Sequence, residues 1–497
     1  MKTRWRTLTI IAEPSEASAE LVFVSGTPWV CHGHHAHRER VLQAVVHSSF
    51  STEPGHVLDL LGTPDGSPRV LVLGIDCKST ETESHWLSIG GFIVEAMKRH
   101  RLQSVCLPAG NMLGDANAFE AVLLGALLHG FSLEKASGVE KKEFCPESLI
   151  VAKRHALCAE SARRTADAVN RARAWVEQPA NLLTPPIWSE EARAILVDRG
   201  AVVSILGPEE LEKLGAGALL AVARGSEHGA RLFIAEWRGD ASRDNWDAVI
   251  VGKGLTFDAG GLNLKSRPNI SKMKLDMAAG AGVLGALELA IMRGSRANVV
   301  AIVPMAENSI DALAFRPGDV VTSLSGITIE VADTDAEGRL VLADAMTYGI
   351  RNYKPRWIVD AATLTSMIMN VLHEEFAATY ASDDQLANKL VAAGEAVGER
   401  LWRMPLDPSQ DYLVESEIAD LSNWGPPGFF GNAMGSPATG AKFLEKFTRG
   451  TSWAHIDMCG TAWSTRRTTR GNKGATGFGV RLLDRWLRML EADNAKI

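Results

Sequence analysis

Four apolar runs, at residues 248–251, 298–304, 328–332 and 357–359, restrict the fold more than any other feature of this chain. Each is apolar enough to be buried on both faces, as strands of a parallel sheet must be. Chemically capable residues follow them directly: Lys253, Asp258, Asp333, Asp335, Thr363 and Thr365. Open α/β sheets place their ligand crevice beyond the carboxyl ends of such strands. The expected fold class is α/β, with a mainly parallel central sheet in the larger, C-terminal part and a site at its strand ends.

A chain of 497 residues exceeds what one core supports, so more than one domain is expected. In the first third, residues 7–12, 20–24, 69–75 and 104–107 read as strands and 119–131 as a helix, a small α/β domain over residues 1–150. Residues 153–178 are rich in Ala, Arg and Glu at helical spacing and stop at Pro179, a linking helix within 151–180. The turn-rich NLLTPP at 181–186 opens the larger domain, 181–497. No internal repeat is evident.

Composition excludes several classes. With 52 basic against 59 acidic residues and a net charge of -7, the chain lacks the broad positive field that nucleic-acid binding needs. The six cysteines (Cys31, Cys77, Cys106, Cys145, Cys158 and Cys459) form no CxxC pair and fit reduced thiols. Lys2, Arg4 and Arg6 precede only a short apolar stretch before Glu13, which is too little for a signal peptide. No uninterrupted apolar run reaches membrane-spanning length. A cytoplasmic protein with a small partner and no membrane association is expected.

The chemistry concentrates in three segments. In VGKGLTFDAGGLNLK (251–265) the glycines let the backbone bend and bring Lys253, Asp258 and Lys265 toward one point. A phosphate-binding loop fails on spacing, since GxxxxGK[ST] is absent. MKLD (273–276) opens a helix of small residues, so Asp276 can turn into the same crevice; alone, it would simply complement the helix dipole. In VADTDAEGRL (331–340), Asp335 and Glu337 lie two apart at a strand end, where strand periodicity points both carboxylates one way. Such carboxylates repel unless a cation lies between them or one stays protonated. Asp258, Asp276, Asp335 and Glu337 carry four negative charges, which two divalent cations neutralise, and paired cations can activate water and polarise a carbonyl together. The oxygen-rich set suits Zn, Mn or Mg without choosing among them.

GKGLTFDAGGLNLK, MKLD, DTDAEGRL and the ATLT at 362–365, with WAHID and GTAW around Trp453 and Trp463, together resemble the leucyl aminopeptidase family of metallopeptidases over most of residues 180–490. The N-terminal part carries no comparable signature. The resemblance implies a metal-dependent exopeptidase that hydrolyses the N-terminal residue from peptides, with metal-activated water attacking the scissile carbonyl. It implies that Asp258 and Glu337 bridge two divalent metals, Zn or Mn with Mg or Co as further candidates. Asp335 would complete one metal site, and Lys253 and Asp276 the other. Lys265 would be the catalytic lysine that stabilises the developing oxyanion. Arg339 would hold a bicarbonate ion acting as general base, a role suited to a planar guanidinium. Met273, Asp333, Thr363, Leu364 and Ser366 would contact substrate. A homohexamer is the implied assembly.

Two positions depart from the family pattern. Asp333 stands where the family has asparagine, exchanging an amide donor for an acceptor-only carboxylate. Ser366 replaces the glycine after ATLT, near the first side-chain pocket. Asp333 motivates a second reading, a catalytically weak hexameric binding or scaffold protein. A two-metal phosphoesterase would use similar carboxylates but leaves Lys253, Lys265 and ATLT unexplained. The cluster His32, His34, His35 and His37 lacks metal-ligand spacing and reads as a solvated loop. His455 and Asp457 alternate on a buried strand and could pair, although a hydrogen-bonded core histidine is the simpler reading. Trp453, Trp463 and Trp486 read as core or subunit-contact residues.

Overall fold

The apolar runs of the second half become strands because β-branched and aliphatic side chains can be buried on both faces. They are β1 (Val202–Leu206), β2 (Arg231–Arg238), β3 (Ala248–Gly252), β4 (Gly254–Asp258), β5 (Asn298–Asn308), β6 (Trp357–Ala362), β7 (Ala377–Ala381), β8 (Leu401–Arg403) and β9 (Ser452–Asp457). The computed structural model describes residues 5–12, 17–25, 30–32, 37–62, 64, 68–76, 82–107, 115–133, 144–428, 436–469 and 471–494. His34, His35 and Cys77 fall outside them. These nine strands form one sheet in the order β1-β2-β5-β3-β6-β9-β7-β8, with β4 also paired to β5. Its centre, β5-β3-β6-β9, is parallel throughout, and antiparallel pairs flank it at β1/β2, β2/β5 and β9/β7. The expected α/β class with a mainly parallel sheet is what the chain adopts. Every residue of β3 and β6 is buried.

One of the four expected strands lies elsewhere. Thr328–Glu330 belongs to a small three-stranded sheet, antiparallel to Val320–Thr322 and parallel to Leu421–Ser422. Its polar Thr328 and Glu330 flank a buried Ile329, the pattern of a strand covered on one face only.

Two helices position the site. In α1 (Ala278–Met292) every residue from Ala278 to Ile291 is buried. The stretch Met273–Met292 is long and apolar enough to cross a membrane, but 89% of its apolar window is buried in the protein, and it carries Lys274, Asp276 and Glu288. That is a core helix. Helix α2 (Gly338–Tyr353) follows Glu337, which occupies its N-cap position.

The chain forms two compact units, Arg171–Ser464 with Gly474–Ile497, and Lys2–Asn170 with Thr465–Lys473. The division falls inside the helix Ala156–Glu177. The second unit has its own seven-stranded sheet, ordered Thr9–Ile11, Ser148–Ile150, Ser104–Cys106, Ala19–Ser25, Val70–Gly74 and Val57–Leu60, with Val30–His32 beside Ala19–Ser25. In it, His37 Nε2 lies 3.8 Å from Glu20 Oε2 at the start of the helix Arg38–Val46.

Candidate active site

The chain brings six of the charged residues singled out in the sequence to the carboxyl ends of β3, β4 and β6. Lys253 sits between β3 and β4, its amide donating to Ala361 O at 3.0 Å and its carbonyl accepting from Gly280 at 2.8 Å. Asp258 ends β4, and its Oδ1 accepts from Gly260 N and Asn308 Nδ2, each at 2.8 Å. Lys265 returns toward the site because its amide closes a loop onto Ala259 O at 3.0 Å. That loop needs a left-handed residue: Gly260 has φ +87°, and a Cβ there would lie 2.9 Å from Asp335 Oδ1. Asp276 follows the one-turn helix Met273–Leu275 and accepts a 2.7 Å bond from Thr363 Oγ1.

Asp335 and Glu337 do converge, but strand periodicity is not the reason. Asp335 lies in a turn, and Glu337 has the helical φ −73° and ψ −33° at the head of α2. Asparagines and a threonine fix that turn instead. Thr334 N donates to Asn263 Oδ1 at 3.0 Å, Thr334 Oγ1 donates to Gly260 O at 2.7 Å, and Asn308 Nδ2 donates to Thr334 O at 3.0 Å.

The result is two interlocked ion-pair sets. Lys253 Nζ lies 2.7 Å from both Asp276 Oδ2 and Glu337 Oε1. Lys265 Nζ lies 2.7 Å from Asp258 Oδ2 and also contacts Asp335 Oδ1. Asp258, Asp335 and Glu337 each present one oxygen, all within 4.8 Å of one another. Fully ionised, four carboxylates against two ammonium groups would carry two excess negative charges in a site where Lys253, Asp258, Asp276 and Glu337 are at most 3% exposed, so protons or cations must offset them. Glu337 Oε2, fully buried, has no hydrogen-bond donor among the described residues. Burial, then the charges of Asp258 and Glu337, push Asp276 up to about 8 against the pull of Lys253. Burial and the same kind of repulsion push Asp335 up to about 7 and raise Glu337. Burial opposes charge on both lysines, but the surrounding carboxylates outweigh it and hold Lys253 and Lys265 above the ordinary lysine value. A buried carboxylate cluster with residual negative charge and an undonated oxygen fits hard divalent cations.

Arg339, on α2, is 1% exposed; its Nη1 donates to Asn423 O at 2.7 Å, and its Nε has no acceptor among the described residues. Burial pulls its guanidinium down to about 10, against the charges of Glu337, Asp333 and Asp457. It is a buried donor suited to a planar anion.

Of the expected substrate contacts, Asp333 and Thr363 hydrogen-bond to residues of this cluster. Asp333 Oδ1 accepts from Asp335 N at 2.7 Å. Thr363 is bonded to Asp276, and Leu364 N lies 3.3 Å from Asp457 Oδ1. Met273 is half-buried on the turn that delivers Asp276, and Ser366 is exposed at the start of the turn Ser366–Ile368. His455 does not pair with Asp457. Its Nδ1 is 2.6 Å from Asp360 Oδ1, directly across the β6/β9 ladder, because a side chain opposite on the neighbouring strand is closer than one two residues along. Sequence reasoning passed over Asn308 and Asn423, which lie outside the motifs and carry no pattern, and over Asn263 and Thr334, which lie inside them but were given no role.

Residues 170–484 match the catalytic domain of the cytosol aminopeptidase family. A probable cytosol aminopeptidase of Brucella melitensis is 37% identical over 461 residues, covering 90% of this chain and 93% of the relative. One from Rhizobium meliloti is 36% identical over 488 residues, 96% of each. Among solved structures, the bottromycin maturation enzyme BotP in complex with Mn superposes with a TM-score of 0.82 at 30% identity, covering 96% of this chain and all of BotP.

Proposed function

The chain belongs to the cytosol aminopeptidase family, and from that premise we propose that it removes N-terminal residues from peptides at a two-metal centre. The observation that carries the proposal is the convergence of Asp258, Asp276, Asp335 and Glu337 on two lysines, with two excess negative charges when all are ionised. Asp258, Asp276, Asp335, Glu337 and Lys253 are the residues that would hold the cations. The BotP structure contains Mn, which supports divalent metals here. Zn or Mn are the leading candidates, with Mg and Co as others. When bound, the cations supply Lewis acidity and lower the pKa of water, and bicarbonate on Arg339 supplies a proton acceptor.

The chain's own residues do the rest. Lys265, kept protonated by its carboxylate neighbours, directs an ammonium toward the oxyanion that develops on the scissile carbonyl. Lys253 holds Asp276 and Glu337 together as an ammonium in the present arrangement; nearby cations would favour its neutral, ligating form. Arg339 Nε offers a buried donor for the bicarbonate. Met273, Asp333, Thr363, Leu364 and Ser366 are proposed to line the substrate site, with Asp333 facing the substrate as an acceptor.

Peptide substrates, a homohexameric assembly and a cytoplasmic location complete the proposal, the last supported by the names of the relatives. The test is hydrolysis of aminoacyl amides by chelator-stripped protein reloaded separately with Zn, Mn, Mg and Co. Metal-dependent turnover that collapses in Lys265→Ala supports the peptidase. The second reading, a weakly catalytic scaffold, rests on Asp333; it gains if wild type is inactive with every metal while Asp333→Asn turns over.

A further inference from the structure

Asn423 lies outside every motif named above, yet all of its side-chain hydrogen-bonding capacity is spent on the loop that carries Asp335 and Glu337. It is fully buried. Its Oδ1 accepts from Ala332 N at 2.8 Å and Asp333 N at 3.2 Å. Its Nδ2 donates to Asp333 O at 2.7 Å and Ala336 O at 3.3 Å. Its own amide donates to Glu330 O at 3.0 Å, and its carbonyl accepts from Arg339 Nη1 at 2.7 Å. An asparagine side chain has two donor hydrogens and one oxygen with two lone pairs, and here each is used.

The loop needs such a partner. Val331 still pairs with Gly318 and Asp319, but from Ala332 to Ala336 the chain belongs to neither strand nor helix, so most of its backbone groups have no ladder to complete. Asn423 supplies the missing edge, and it arrives by a defined route: Leu421 and Ser422 pair in register with Ile329 and Glu330. The three-stranded sheet therefore fixes the carboxylate loop and the residue that clamps it as one unit.

Resting on the two-metal reading, we propose that Asn423 is a positioning residue for the metal centre, setting the backbone from which Asp335, Glu337 and Arg339 project while touching no carboxylate itself. Supporting residues behind a first ligand set hold donor atoms at the separation the cation requires, and losing one costs about ten- to a hundredfold in metal affinity or activity. Asn423→Ala removes all four side-chain bonds. Asn423→Asp is nearly isosteric and keeps both accepted bonds, but it turns the two donated bonds into oxygen–oxygen contacts.

Ordinary destabilisation must be separated from positioning, and the chain contains a matched control. Asn298 is equally buried at the opposite end of β5; its Nδ2 donates to the carbonyls of Asp240, Arg243 and Asn245, and its Oδ1 accepts from Asp240 N. The experiment titrates chelator-stripped full-length wild type, Asn423→Ala, Asn423→Asp and Asn298→Ala with Co(II). It records the dissociation constant, the visible absorption spectrum of the bound metal and the thermal midpoint. The expected result is a ten- to hundredfold weaker dissociation constant and an altered spectrum in both Asn423 variants, with wild-type values in Asn298→Ala even where its midpoint falls. If Asn423→Ala does not fold, Asn423→Asp decides alone. Asn423 variants that bind Co(II) with wild-type affinity and spectrum, or that lose no more than Asn298→Ala, overturn the inference. Wild type that binds no Co(II) overturns the two-metal reading itself, an outcome visible before any variant is compared.

Discussion

Asp333 Oδ1 accepts the backbone amide of Asp335 at 2.7 Å, so the residue that departs from the family pattern also holds the turn carrying a proposed metal ligand. This is the side-chain-to-backbone bond that Asp and Asn both make two residues ahead. An amide oxygen can replace the carboxylate oxygen in that bond; a methyl group cannot. Asp333→Asn should bind Co(II) or Mn(II) within about threefold of wild type, and Asp333→Ala about fivefold more weakly, one lost hydrogen bond of ~1 kcal/mol. Metal titration of the three proteins checks this, and equal weakening in both variants would refute it.

Lys265 pairs with Asp258 and Asp335 and faces the reaction in the proposed mechanism. Its two roles separate by measurement. Lys265→Ala should lose about 10²–10³ in kcat while still binding metal, as expected for removing a donor to a developing oxyanion. Without metal, the same variant should melt at a lower temperature than wild type, because carboxylates are left facing one another, and added Mn(II) should close most of that gap. Full activity in Lys265→Ala would remove it from the chemistry.

The carboxylates were legible in the sequence because their motifs are local, but the reason for their convergence was not. Asp335 and Glu337 look like alternate residues of a strand, and a strand does precede them. It ends at Glu330, because its polar residues keep it out of the main sheet, and a turn and the head of α2 then make the approach. Two of the residues that fix this turn, Asn308 and Asn423, were invisible. Asn308 is 26 residues before Thr334, and Asn423 is 90 residues after Asp333. Nothing in the spacing of an isolated asparagine announces that its amide completes a distant backbone. The partner of His455 was missed on similar grounds, since strand order rather than sequence places Asp360 opposite it.

Asp344 gives a pH dependence that does not involve the metal centre. It is 1% exposed on α2 and accepts from Leu219 N at 2.9 Å and Leu324 N at 2.7 Å. Burial pushes its carboxyl up to about 7, with those amides pulling the other way. The folded-state value lies above the unfolded one of about 3.9, so the folded protein binds the extra proton between them. The stabilising contribution is complete below about pH 4 and is lost as pH rises through 7. The melting temperature of wild type relative to Asp344→Asn should therefore fall between pH 5 and pH 8. A difference that is constant across that range would show that Asp344 is ionised throughout.

Gly338 ties the position of Lys253 to the head of α2. A Cβ placed there would lie 2.7 Å from Lys253 Cε and 2.9 Å from its Nζ. Both atoms belong to the far end of a flexible side chain, so the scaffold can absorb Gly338→Ala by moving that lysine rather than the backbone. The variant should fold, but with a lower thermal midpoint than wild type in the absence of metal, because displacing the Lys253 ammonium leaves Asp276 and Glu337 facing one another. Its Lys253 ammonium can no longer sit between Asp276 and Glu337, so Mn(II) affinity and kcat should both fall, about tenfold or more, as for a misplaced ligand group. Wild-type kinetics in Gly338→Ala would show that Lys253 does not need its present position to serve the reaction.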